Sequence, residues 1–220
     1  MFKKLAIVFS LLLLFSGCLN YIQDVQLYPD GSGEMIIQYW MKLPDAESLK
    51  VLNKIGIFDK EAIQNEFSSS FVKIRNISVY TDSTDSTQHA KISLSFTNID
   101  SLNNMKVFSE YEFSLVDGAA GQKIFTQFIP PFATGFGIEG SNYFVTYKYT
   151  FYGEIISSNA EKQQDRTLTW SYNLSQIGRG KTISVTFKPF RLKETPHWIY
   201  YTAGFVLLIV IFFLFRRKKD

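Results

Sequence analysis

The chain has 220 residues, 46% of them hydrophobic, and a formal charge of +3. Six of its cations lie at the two ends, Lys3, Lys4 and Arg216 to Lys219, and between Leu19 and His197 acids outnumber bases by two. That stretch has no basic excess to neutralise phosphates, which argues against nucleic acid as a partner, and a single cysteine rules out an intramolecular disulfide.

Lys3 and Lys4 precede an apolar run from Leu5 to Phe15 and then Ser16-Gly17-Cys18. A basic start, a short apolar core and small residues at its end predict a secretory signal over residues 1–17. The core is too short to span a bilayer. Ser-Gly-Cys after a leucine-rich run resembles the bacterial lipoprotein signal. That resemblance implies diacylation of Cys18, palmitate being the expected acyl group, as the first residue of the mature chain. The alternative is an ordinary buried thiol. As a nucleophile, Cys18 would lack a neighbouring base.

"YIQDVQLYPDGSGEMIIQYWMKL" predicts a hairpin: apolar residues alternate on both sides of Pro29-Asp30-Gly31-Ser32-Gly33. Asp30-Gly31 lacks the acidic spacing of a calcium loop and reads as a turn. "DAESLKVLNKIG" predicts a helix capped by Asp45 and ended by Gly56, and Asp59 starts a second short helix lined by Ala62, Ile63 and Phe67.

Alternation returns in "FVKIRNISVY" and "HAKISLSF", joined by "DSTDST". His89 opens the second of these strands. The other histidine is the distant His197, so the sequence shows no histidine cluster for zinc and no metal site is predicted. "IDSLNNMKVFS" suggests a short helix, and "YEFSLVDG" with "GQKIFTQFIP" a further hairpin. Glu110 and Glu112 stand two apart on what reads as a strand. A carboxylate pair can serve a hydrolase, but this spacing is common among surface acids, and no catalytic residue and no cofactor is predicted.

"FIPPFATGFGIEGSNYF" is different in kind. Pro130 and Pro131 cannot donate to a ladder, and Gly135, Gly137 and Gly140 permit bends between large apolar groups. Phe128, Ile129, Phe132, Phe136 and Ile138 are the residues expected either to cover the core or to touch a ligand or membrane. "NYFVTYKYTFYGEII", "RTLTWSYNLSQI" and "KTISVTFKPF" read as strands, with Trp170 a core anchor. Trp198 to Phe215 carries no charge, begins with Trp198, Tyr200 and Tyr201, and is followed by four cations. This predicts a transmembrane helix at 198–215 and a cytoplasmic tail at 216–220, with 18–197 as an extracytoplasmic domain. The expected location is the bacterial cytoplasmic (inner) membrane, single-pass.

The predicted class is α+β: a mainly antiparallel sheet with a few short helices, plus one C-terminal transmembrane helix. The leader, the "DGSG" turn at Asp30 to Gly33, and Asn159 with the strand through Trp170 in "NAEKQQDRTLTWSYNLS" resemble the LppM-like bacterial membrane lipoproteins. The sequence departs from that pattern in having Tyr152-Gly153 where proline-glycine is usual. The resemblance implies a membrane-attached α+β domain and suggests lipid or glycolipid binding without catalysis. The expected partners are membrane lipid, through acylated Cys18 and the terminal helix, a lipid or glycolipid ligand, and an envelope protein. The alternative function is envelope scaffolding or protein interaction.

Overall fold

The computed structural model describes residues 19–42, 56–131, 143–189 and 197–216. The chain divides into two units, Met1–Pro189 and Phe190–Asp220. The signal segment and Cys18, the helix expected from Asp45, and Phe132, Phe136 and Ile138 lie outside the described residues.

In the first unit, β1 (Leu19–Leu27) and β2 (Gly33–Lys42) form the expected antiparallel hairpin. Val25, Leu27, Met35 and Ile37 are buried on one face, as period-two alternation requires. The turn is built by Asp30, whose Oδ1 accepts from Ser32 N at 3.0 Å and Ser32 Oγ at 2.7 Å, while Gly31 takes φ +89°. These bonds hold the Asp30 carboxyl below its ordinary range. A Cβ at Gly33 would overlap the Gln26 carbonyl oxygen and the Phe96 ring, so only glycine fits the start of β2.

Helix α1 (Lys60–Phe67) starts where Asp59 predicted, with its carboxylate accepting from Ala62 N at 2.7 Å. It buries Ile63 and Phe67, the latter edge-on to Phe108. β3 (Val72–Asp82) and β4 (Thr87–Phe96) form the second hairpin. The helix expected after Ile99 is two 3-10 turns, Asp100–Asn104 and Lys106–Phe108, which bury Leu102 and Phe108. β5 (Ser114–Asp117) and β6 (Lys123–Ile129) pair as predicted. Glu110 and Glu112 are exposed in the turn before β5, not on a strand.

The stretch "NYFVTYKYTFYGEII" is two strands, β7 (Phe144–Phe151) and β8 (Gly153–Ser158), in different sheets. The chain turns this corner at Gly153, where a Cβ would lie 2.5 Å from the Lys188 carbonyl oxygen. After β9 (Lys162–Gln164) and β10 (Thr167–Asn173), the expected strand gives way to the short helix α2 (Leu174–Ile177). Asn173 and Gln176 form a capping box there, a local bonding pattern that outcompetes strand continuation. β11 (Lys181–Pro189) ends the unit.

Two sheets result, a seven-stranded one ordered β3-β4-β2-β1-β7-β10-β9 and a four-stranded one ordered β5-β6-β11-β8. All described pairings are antiparallel except β1 with β7. The sheets meet through aromatic rings: Phe125 on Tyr149 and Phe151, and Phe151 on Phe187. Trp170 is fully buried, as expected of an anchor.

The second unit contains α3 (His197–Arg216). Its described side chains, at 199–213, are exposed and almost all apolar. Among the described residues no helix is long and apolar enough to cross a membrane. This corrects the predicted transmembrane helix and the single-pass inner-membrane location with its cytoplasmic C-terminus. It also corrects the proposed attachment to membrane lipid: the helical half has no spanning segment behind it, and the acylated Cys18 half rests on a residue outside the described structure.

Candidate functional site

Alternation places Gln23 in phase with Val25 and Leu27, and Gln127 in phase with Phe125 and Ile129. Both amides therefore enter the core and are fully buried. Tyr149, opposite them on β7, joins them. Tyr21 Oη donates to Gln23 Oε1 at 2.9 Å, Gln23 Nε2 donates to Tyr149 Oη at 2.8 Å, and Tyr149 Oη donates to Gln127 Oε1 at 2.5 Å. Tyr111 and Tyr147 extend this polar seam. Burial is the main reason that the phenols of Tyr21, Tyr147 and Tyr149 sit well above their ordinary pKa, with neighbouring tyrosines adding to it. Gln127 Nε2 is buried without a hydrogen-bond partner.

A cavity of about 190 Å³ lies beside this seam, lined by Tyr21, Tyr39 and Tyr111 and by apolar Ile37, Ile63 and Phe108. Tyr39 Oη donates to Ile57 O at 2.6 Å across its rim. A larger depression of about 670 Å³, between α1 and the 3-10 turns, is open and lined largely by Asn65, Glu66, Ser68, Ser69, Asn104 and Lys106. Pockets for drug-sized ligands occupy roughly 300–1,000 Å³ and are mostly apolar. The apolar cavity is below that range; the larger depression is within it, but is open and mixed in lining, with Ala62, Phe71 and Met105 among the polar residues.

Of the residues expected at a ligand or membrane contact, Ile129 is fully buried in the core at the end of β6. Phe128 is half-buried, and its ring fills the space beside Gly180, where a Cβ would overlap it.

The segments behind the lipoprotein resemblance turn out to be structural fasteners. Asn159 Oδ1 accepts from Trp170 Nε1 at 3.0 Å and from Ser184 N at 2.9 Å, and its Nδ2 donates to Thr182 O at 2.7 Å. One side chain thus ties β10 of one sheet to β11 of the other.

The remaining surface of interest is the open face of the seven-stranded sheet. Its register sets Tyr80, His89, Trp40, Asn20, Phe144 and Asn173 in one row across six strands. The His89 ring is stacked between Tyr80, at 4.8 Å and 2°, and Trp40, at 5.8 Å and 12°. Tyr80 and Phe144 are each 48% exposed. Farther along the strands the next row is mostly polar, with Ser78, Lys91, Gln38, Thr146 and Ser171 flanking Ile22. No sequence signal marked this row, because strand order has to be known before its members become neighbours.

No protein-family model matches the chain, and no curated protein does. Seven chains among solved structures match it. One is the folded domain of Mycobacterium tuberculosis LppM, determined by NMR, with a TM-score of 0.52 and 15% sequence identity. The match covers 80% of this chain and 92% of that one. The LppM-like resemblance read from the sequence is thus met by a likeness of fold.

Proposed function

We propose that this protein is a non-catalytic scaffolding or protein-interaction module of the bacterial cell envelope, and that it engages its partner through the open face of the seven-stranded sheet. The observation that carries this reading is the contrast between the two surfaces. The apolar cavity holds about 190 Å³, too little for a lipid with its headgroup, whereas the aromatic row at Tyr80, Trp40 and Phe144 faces outward. Aromatic residues in a polar surround are the composition of an interface core and its rim. The fold likeness to the LppM domain supports the envelope setting. The lipid or glycolipid alternative would require a ligand to rest on this face or to open the small cavity.

Photo-crosslinking residues placed in turn at Tyr80 and Phe144 of the full chain test the proposal in cells. The expected result is one and the same protein adduct from both positions, and none from Lys162 on the edge strand β9. Stoichiometric lipid in native mass spectra of the purified protein, with no protein adduct from either position, would replace this reading with the lipid one.

A further inference from the structure

The β3–β4 hairpin gathers chemistry that the proposed interaction role does not use. Antiparallel register sets Asp82 opposite Thr87 and Tyr80 opposite His89, and Asp85 lies in the turn between the strands. One donor atom from each of Asp82, Asp85 and His89 lies within 4.8 Å of the others.

Each of the three is held in place. Asp82 Oδ1 accepts from Thr84 N at 2.9 Å and Thr84 Oγ1 at 2.6 Å, and these bonds lower the carboxyl's pKa. Asp85 Oδ1 accepts from Thr87 N at 3.1 Å and Thr87 Oγ1 at 2.5 Å. These contacts employ Oδ1 of each acid, so Oδ2 is the natural donor to a cation.

The histidine is the more telling member. Its ring is clamped between Tyr80 and Trp40, and its Nε2 lies 2.7 Å from Thr87 Oγ1. Thr87 gives its single hydroxyl proton to Asp85, so the contact with Nε2 requires the imidazole to donate. Nδ1 is buried without a hydrogen-bond partner. Nε2 shares Thr87 Oγ1 with Asp85, so on this rotationally fixed ring it is the nitrogen on the side of the two carboxylates. Binding through Nε2 moves its proton to Nδ1, which no hydrogen bond occupies.

We propose that Asp82, Asp85 and His89 bind a divalent first-row transition-metal ion, with water completing its coordination. The donor set decides the class. Calcium and magnesium favour all-oxygen sites, whereas an imidazole with carboxylates suits zinc and its neighbours. Zn–N and Zn–O bonds of about 2.0–2.2 Å bring tetrahedral donors to roughly 3.4 Å apart, so the two acid side chains draw inward by about an ångström. Lys42 stands opposite Thr87 in the β2–β4 register, and its charge weakens the hold on any cation. The ion would stiffen the hairpin tip at the aromatic end of the open face.

The test is titration of the purified full chain with Zn²⁺ against a chromophoric chelator. One ion per chain is expected. The pair D82N/D85N keeps the Oδ1 acceptors of the turn while removing both charges, and should weaken binding at least ~10-fold, as should H89A. C18S and H197A, at the chain's single thiol and its second imidazole, should bind as the unaltered protein does. Circular dichroism verifies that the acid pair variant is folded. Absence of Zn²⁺ binding by the unaltered chain, or equal binding by folded D82N/D85N, overturns the assignment.

Discussion

Replacing Asn159 with alanine removes three hydrogen bonds at once, and the structure indicates which of them matters. The bonds to Thr182 O and Ser184 N lie at the surface, where water replaces the lost partner cheaply. The bond from Trp170 Nε1 is different, because Trp170 is fully buried and its indole N–H has Asn159 as its acceptor. A buried donor left unmet costs about 1–3 kcal/mol, so Asn159→Ala should destabilise the domain by about 2 kcal/mol in total. For a protein of this size that is a fall in Tm of roughly 4–8 °C. Asn159→Asp retains the acceptor for both N–H groups and loses only the donor to Thr182, so it should cost about half as much. Urea unfolding followed by far-UV circular dichroism measures both. A cycle with Trp170→Phe, which removes the indole donor, isolates the pair, and the coupling should exceed about 1 kcal/mol. A change below about 0.5 kcal/mol for Asn159→Ala, or no coupling in the cycle, would refute the view that this residue fastens the two sheets.

Two further outcomes follow from packing and from burial. Gly153→Ala places a methyl against the Lys188 backbone and the Phe187 ring, and should lower stability by about 1–3 kcal/mol in the same unfolding assay; no change would mean that the corner between β7 and β8 relaxes freely. The phenols of Tyr21, Tyr147 and Tyr149 are raised in the folded state by burial, so the stability they supply is intact below the unfolded value near 10 and is lost as pH rises beyond it. Tm should hold between about pH 7 and 9, then drop above about pH 10, and Tyr149→Phe should lessen the drop; a Tm unchanged to about pH 11 contradicts the assignment.

The parts of the fold legible in the sequence were those specified by neighbours along the chain. The β1–β2 hairpin is announced by alternation and by Asp30-Gly31, and α1 by its Asp59 cap. The break between β7 and β8 was hidden because Tyr152-Gly153 sits in uninterrupted alternation, and only the approach of Lys188 from another strand explains the glycine. The polar seam left a trace that passed unread: Gln23 and Gln127 occupy core-phase positions of their strands. His89 gave no metal signal in the sequence because the other histidine, His197, is distant. Its actual neighbours are two aspartates four and seven residues earlier, which the hairpin folds back beside it. The spacing was visible, but the register that gives it meaning was not.

This division bears on what the likeness to the LppM domain conveys. The residues that carry the sequence resemblance, Asp30 to Gly33 and Asn159 with Trp170, are occupied in making a turn and joining two sheets. Any chain folding this way needs a tight turn before β2 and a fastener between β10 and β11, whatever it binds. A likeness carried by those residues therefore reports architecture. Specific recognition draws on positions the fold leaves free, and among the described residues these include the outward row from Tyr80 to Phe144 and the hairpin tip beside it. The aromatic stack there exposes rings that the core does not need, and His89 has a nitrogen that the fold leaves unpartnered. Two proteins sharing this fold would be expected to agree in the fasteners and to differ across that face, so a partner is better sought from the face than inferred from the fold.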